Sequence, residues 1–470
     1  MIFPEIHATL ETAKTKEQER VFMEENKMGT MPVGKLLLNM SWPAILSMLI
    51  QALYNIVDTI FVSFVGEQAI AAVTYIFPVS MLMISFSVGT GVGINSLIAR
   101  RLGARRFDEA DDAASHGFRL SFFNWAIFAI FGLFFATLFM KAFTETPYII
   151  ENGALYLKVT TIGSLFLMVQ ITNEKILQST GNMIMPMICS LAGAVTNVIL
   201  DPCFIFGLWI FPEMGVTGAA VATVIGQAVS MTLGLFLLFG HDHAVTIRFR
   251  GFKFKAEIIR DIYAVGLPAI IMQAIGSVML FGLNAILGAI SETGVAVLGV
   301  YQRLQSFVFM PVFGLTQGAL PILGYNFGAR NKERFMHAYK LALRVALIIM
   351  GLGFICFQLF PDLLLSIFNA TDQMYEIGSK ALRLISICFL PVAYGITTST
   401  VFQATGHGIL SLWSSLIRQL IGALPVAFIL SRFIGITGVW MAFPLAEAIG
   451  IIYVICAFIW LYKREIKTMI

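Results

Sequence analysis

Twelve apolar segments run the length of the 470-residue sequence, at roughly 39–63, 70–98, 115–141, 152–178, 185–208, 216–240, 257–288, 294–322, 337–360, 378–402, 409–431 and 435–461. A helix needs about 20 apolar residues to cross a bilayer, and every segment is long enough. None shows the alternation over ~10 residues that marks a transmembrane β-barrel strand. Only 12% of residues are charged, against about 25% in a soluble domain. The fold class is therefore an all-α integral membrane protein. The net charge of +4 is small and sits in loops, so it speaks to topology and not to nucleic acid. Arg100, Arg101, Arg105 and Arg106 follow segment 2, a basic loop (Arg248 to Arg260) follows segment 6, Arg330, Lys332 and Arg334 follow segment 8, and Lys463, Arg464 and Lys467 end the chain. The intervening loops carry few cations, so the positive-inside rule places both termini in the cytoplasm of a bacterial plasma (inner) membrane. The polar first ~35 residues read as a solvated tail with no secretory signal.

The second half repeats the first. Pro43-Ala44-Ile45 recurs as Pro268-Ala269-Ile270, Gly89 and Gly93 as Gly314 and Gly318, Gly103-Ala104-Arg105 as Gly328-Ala329-Arg330, and Gln178, Thr180 and Gly181 as Gln403, Thr405 and Gly406, all at an offset of 225. Gly215 and Gly218 match Gly435 and Gly438 at 220. Six is an even number of spans, so the halves share one orientation as parallel repeats, an arrangement suited to a transporter with its site between two lobes. The reading is a lead-in (1–38), an N-terminal six-helix lobe (39–240), a cytoplasmic linker (241–256), a C-terminal six-helix lobe (257–461) and a basic tail (462–470), self-sufficient as a monomer.

Segment 1 carries Gln51, Asn55 and Asp58, spaced by four and three and so on one helical face. A carboxylate at membrane depth is costly and ordinarily faces a protein interior or a water-filled cavity. Segment 5 carries Asn197 and Asp201 one turn apart, followed by Pro202, whose missing N–H frees the Val198 carbonyl. Carboxylate, amide and free carbonyl suit a proton or small-cation site; the alternative for Asp201 is a cap on a broken helix. If Asp58 and Asp201 converge, both cannot ionise cheaply, and the pair would hold a proton or a Na+. The repeat offers a control: the equivalents of Gln51, Asn55 and Asp58 are Gly276, Leu280 and Leu283, and those of Asn197 and Asp201 are Gly422 and Val426. Polar groups needed only to fold a lobe should occur in both halves, so their confinement to one favours a functional role.

Other charged groups in the spans leave alternatives open. Glu174-Lys175 is an interhelical pairing group or a second proton site. Arg303 lines the cavity or snorkels to the interface. Arg418 and Glu447 could pair within the C-terminal lobe. Tyr54 and Met81 lie near the polar stripe and are candidate cavity residues, together with Asn55 and Arg303. The five cysteines have no metal-ligand spacing and the six histidines form no cluster. No Walker A, HExxH or nucleophile elbow is present, which argues against an enzyme.

The ENKMGTMPVGK lead-in, Trp42-Pro43 with YNIVDTIF, both Gly-Ala-Arg segments and NVILDP together resemble the multidrug and toxic compound extrusion (MATE) transporters, from about Glu25 to the end. The resemblance is to the bacterial branch with acids in the N-terminal lobe. It implies twelve helices in two pseudo-symmetric bundles, and export of organic, often cationic and aromatic, compounds by antiport with H+ or Na+, without a cofactor. In that branch the coupling ion sits among residues that map onto Asp58, Asn197, Asp201 and Thr223, and the family's helix 1 glutamine and bending proline match Gln51 and Pro43. Family members with acids in helices 7 and 10 offer no guide, because segment 7 here has Gln273 and segment 10 no acid. The alternative is a flippase or dedicated exporter of a lipid-linked or natural-product substrate, which a basic cavity would favour. The partners expected are a small-molecule substrate and membrane lipid.

Overall fold

A computed structural model describes residues 26–240, 243–250, 252–368 and 370–469; the N-terminal part of the expected tail lies outside them. Every regular element among the described residues is a helix. The spans are α1 (Val33–Ser63), α2 (Glu67–Gly103), α3 (Phe107–Lys141), α4 (Pro147–Ser179), α5 (Ile184–Phe206), α6 (Val216–Gly240), α7 (Ala256–Gly288), α8 (Glu292–Gly328) and α9 (Lys332–Leu359). They continue with α10, made of Asp372–Ser386 and Phe389–Ala404, then α11 (Gly408–Ile434) and α12 (Ile436–Leu461). Eleven of these are long and apolar enough to cross a membrane singly, and the two pieces of α10 make the twelfth as a bent pair.

Two elements differ from a plain apolar reading. α10 bends by 47° at Ile387 and Cys388. Pro391 lies one turn later and cannot donate to the Ile387 carbonyl, so the helical ladder breaks there. α11 contains a π-helical stretch, Leu416–Ala423, whose N-lobe equivalent in α5 is regular α-helix. The wider turn carries Arg418 and Gln419, and such turns concentrate at functional sites.

The repeat is visible in the backbone. Arg105 and Arg330, 225 positions apart, take φ of 58° and 56°, the left-handed region that non-glycine residues rarely occupy. The lobes meet through reciprocal contacts. A Cβ at Gly103 would strike the Tyr325 carbonyl oxygen, and one at Gly328 would strike the Arg100 carbonyl oxygen. Gly89 packs on Ile270 and Gly314 on Ile45 in the same way. Every partner pair exchanges under the 225-residue offset, as a two-fold axis along the membrane normal requires. Side-chain bonds cross the same region: Ser96 Oγ donates to the Gln403 carbonyl at 2.5 Å, Ser41 Oγ to the Leu315 carbonyl at 3.3 Å, and Arg101 pairs with Asp261 at 3.1 Å. These contacts lie in the halves of α1, α2, α7 and α8 nearest the basic loops, so the lobes are joined at that end.

The linker is laid along α3. Thr246 N–H donates to Asp111 at 2.9 Å, Arg248 N–H to Ser115 Oγ at 2.9 Å, and Lys255 N–H to His116 Nε2 at 2.8 Å. Arg248 also pairs with Asp108 and Asp111, Lys255 with Asp112, and the Arg119 guanidinium lies 3.5 Å from the Phe252 ring centre.

Candidate functional site

The N-lobe acids converge where α1, α5 and α6 meet. Asp201 is fully buried and Asn197 nearly so (0% and 3% exposed). Asn197 Nδ2 donates to Asp201 Oδ1 at 3.2 Å and to Thr223 Oγ1 at 3.3 Å. Gly193 and Gly226 allow this, since each approaches the other's carbonyl and brings α5 against α6. Asp58 is carried by α1, which packs against α5, and no hydrogen bond joins the two carboxylates among the described residues. Three buried oxygens are left without a partner: Asp58 Oδ1, Asn197 Oδ1 and Asp201 Oδ2. Unpaired buried oxygens are costly, and each calls for a water, an ion or another partner. Together with Thr223 Oγ1 they are all oxygen donors, the hard kind that suits a proton or a small hard cation.

Beside this cluster is a cavity of about 140 Å3, lined among others by Gln51, Tyr54, Gln170, Glu174, Asn197 and Thr223. Glu174 accepts from Gln170 at 3.1 Å and from Ser190 on α5 at 3.0 Å. Lys175 instead reaches two amide oxygens, Gln178 at 2.9 Å and, across the lobe interface, Gln317 on α8 at 3.1 Å. The interhelical reading of Glu174-Lys175 describes these contacts.

The structure separates some candidates that the sequence grouped. Asn55 is exposed and outside the cavity lining, and the face of α1 turned to this cavity carries Gln51 and Tyr54. Met81 is half-buried, with its carbonyl accepting from Ser85, and does not line either lobe's cavity. Arg303 is exposed, whereas its neighbours Tyr301 and Gln302 line the C-lobe cavity. A helical repeat gives a residue's angle on the cylinder but not which side a neighbouring helix covers. Pro43 is buried inside α1, and its carbonyl accepts from Ser47 at 3.0 Å. Among the described residues no group of three or more His, Cys, Asp or Glu is placed to hold a metal ion.

The C-lobe cavity is larger, about 690 Å3, within the range of drug-sized pockets. Its lining combines Met48, Met272, Met279 and Met310 with Gln273, Gln302, Gln305 and Gln419. Arg418 Nε donates to Glu447 Oε2 at 2.8 Å, and both line the cavity. Gly395 and Gly450 make room, because a Cβ at Gly450 would strike the Arg418 side chain. The paired charges were legible in the sequence; the glutamine lining was not, although Gln302 and Gln305 share a helical face. Arg418→Ala is expected to destabilise the fold by about 3–5 kcal/mol, since it strands Glu447, 6% exposed, without its cation. Thermal unfolding in detergent checks this, and Arg418→Ala combined with Glu447→Gln should recover much of the loss.

Two six-helix bundles about a local two-fold, each with an internal polar cavity, define a multi-span membrane transporter. The MatE family model matches residues 43–203 and again 268–429, the two starts lying 225 apart, and the chain belongs to the MATE family of transporters. It is 27% identical to the FAD transporter of Shewanella oneidensis, over 88% of this chain and 92% of that one. It is 23% identical to the multidrug export protein MepA of Staphylococcus haemolyticus, over 94% of this chain and 95% of that one. A multidrug resistance MATE family transporter of the MOP superfamily, solved in an outward-facing conformation, superposes with a TM-score of 0.86 at 29% identity, covering 94% of this chain and 98% of that chain.

Proposed function

We propose that this transporter exports organic compounds, cationic, aromatic or amphipathic, in exchange for H+ or Na+ by alternating access, as a monomer and without a cofactor. The observation that carries the reading is the set of unpartnered oxygens of Asp58, Asn197 and Asp201, buried in one lobe and lacking in its repeat. The ion binds there with Thr223, while Gln51 and Tyr54 link the site to the substrate cavity. Loading neutralises the paired carboxylates and changes the hydrogen bonding around α1, which bends near Pro43; substrate leaves, and the ion is released on the other side. The basic loops face the cytoplasm, so the lobes are here closed on that side and the protein is poised to open outward. Multidrug export by the Staphylococcus relative supports the substrate class. The test is uptake of a fluorescent cationic dye into everted vesicles under an imposed pH or Na+ gradient. Dye accumulation driven by one gradient supports antiport and names the ion; no movement under either, with folded protein in the membrane, rejects it.

A second reading, a dedicated exporter of an anionic natural product or cofactor, is favoured by Arg418 in the glutamine-lined cavity and by the FAD transporter relative. Gradient-driven uptake of a flavin nucleotide in place of the dye would select it.

A further inference from the structure

The two lobes offer equivalent grooves at their basic ends, and among the described residues only one is covered by another segment of the chain. In the N-terminal lobe the linker covers the start of α3, where Asp108, Asp111 and Asp112 pair with Arg248 and Lys255, Ser115 takes the Arg248 N–H, and Arg119 donates to the Arg248 carbonyl and stacks on Phe252. The C-terminal lobe leaves the corresponding face open among the described residues. Its counterpart, between the start of α9 and the end of α12, is an open groove of about 1250 Å3. The charge there is inverted. At the 225 offset Asp112 becomes His337, Ser115 becomes Lys340, Asp111 becomes Met336, and Arg119 is kept as Arg344. Arg330 and Lys332 complete the basic wall, against a single acid, Glu333. None of Arg330, Lys332, Lys340 or Arg344 has a carboxylate within 4 Å among the described residues. Lys332 Nζ stands 5.8 Å from the Tyr462 ring centre, which fixes the groove's far wall.

We propose that this groove binds the phosphate headgroup of an anionic phospholipid. The occupant follows from what continues the same helical stripe. Positions 337, 340 and 344 are spaced by three and four, and 348, 352, 355 and 359 extend the row along α9. Those four are Ile348, Leu352, Ile355 and Leu359, between 50% and 65% exposed. A basic head and an exposed apolar stripe on one membrane-spanning face match a lipid headgroup with its acyl chain, and not a free anion. The groove also opens at the end that carries the basic loops, where basic pockets between helices collect anionic headgroups. The lipid takes in the C-terminal lobe the place that the chain's own linker takes in the N-terminal lobe.

Native mass spectrometry of the full-length protein with phosphatidylglycerol or phosphatidylcholine added to detergent tests this. Wild type should retain phosphatidylglycerol preferentially. The triple change Lys332→Gln, Lys340→Gln, Arg344→Gln should weaken that retention on the order of tenfold or more. Arg250→Gln, Lys253→Gln, Arg260→Gln, which removes equal charge from the linker and the start of α7, should leave it intact. Equal loss in both triples would reduce the effect to general surface charge and overturn the site, as would no loss in the first. Displacement of the lipid by millimolar inorganic phosphate would assign a free-anion site instead. Should the triple variant fail to fold, the exposed single change Arg344→Gln and the wild-type choice between the two lipids decide the matter.

Discussion

Asp58→Asn and Asp201→Asn are each expected to abolish gradient-driven transport, by about a hundredfold or more, while leaving the protein folded. The reasoning is geometric. Asp201 is fully buried, and among the described residues its side chain accepts only from the Asn197 amide, with Oδ2 unmet. Asparagine there keeps the volume and one acceptor but removes the charge that a proton or Na+ must balance. Without that charge the site cannot gain or lose an ion between its two faces, and a ligand that binds both conformations equally shifts nothing. Folding should survive, because an isolated buried carboxylate costs more than a neutral amide of equal size. Energy-independent dye exchange should persist in both variants. Coupled transport at wild-type rates in either one would remove that residue from the coupling site, and Thr223→Ala should show a smaller loss, since a hydroxyl contributes one neutral donor atom.

Gly103→Val and Gly328→Val should be comparably damaging for a different reason. Each glycine faces a backbone carbonyl of the opposite lobe, Tyr325 and Arg100 respectively, at a distance no Cβ tolerates. A backbone atom cannot swing aside as a side-chain tip can. Overpacking typically costs ~1–3 kcal/mol, enough to shift a two-state population by roughly five- to a hundredfold. The cost falls on the conformation joined at the basic end, so the lobes should separate there. Spin labels on Ala104→Cys and Ala329→Cys, two exposed turn positions related by the 225 offset, would report a longer distance in the valine variants and a loss of transport. Unchanged distances with full activity would mean that this contact is not part of the cycle.

Much of the architecture was legible in the sequence because membranes allow few solutions: apolar length gives the spans, and a constant offset gives the two-fold. The site residues were legible for a related reason. A carboxylate in an apolar run has few bland explanations, and hydrogen bonds join Asn197 to Asp201 and to Thr223. What the sequence hid depends on which neighbour covers which face. Asn55 and Arg303 are exposed and line neither of the two cavities described, and no periodicity distinguishes an exposed edge from a cavity wall. The α10 bend was in principle readable from Pro391, whereas the π-helical stretch of α11, which packs against α12 and α7, has no such local signature. The clasp of the linker on α3 needs two segments more than a hundred residues apart.

The central claim is that the Asp58–Asn197–Asp201 oxygens hold the ion that substrate displaces. Ion release on substrate addition tests it most directly, followed by a pH indicator in weakly buffered detergent solution with and without Na+, and by a Na+-sensitive probe. Wild type should release about one ion per protein when a cationic dye is added, and Asp58→Asn and Asp201→Asn should bind the dye and release none. Release from either variant equal to that of wild type would contradict the account.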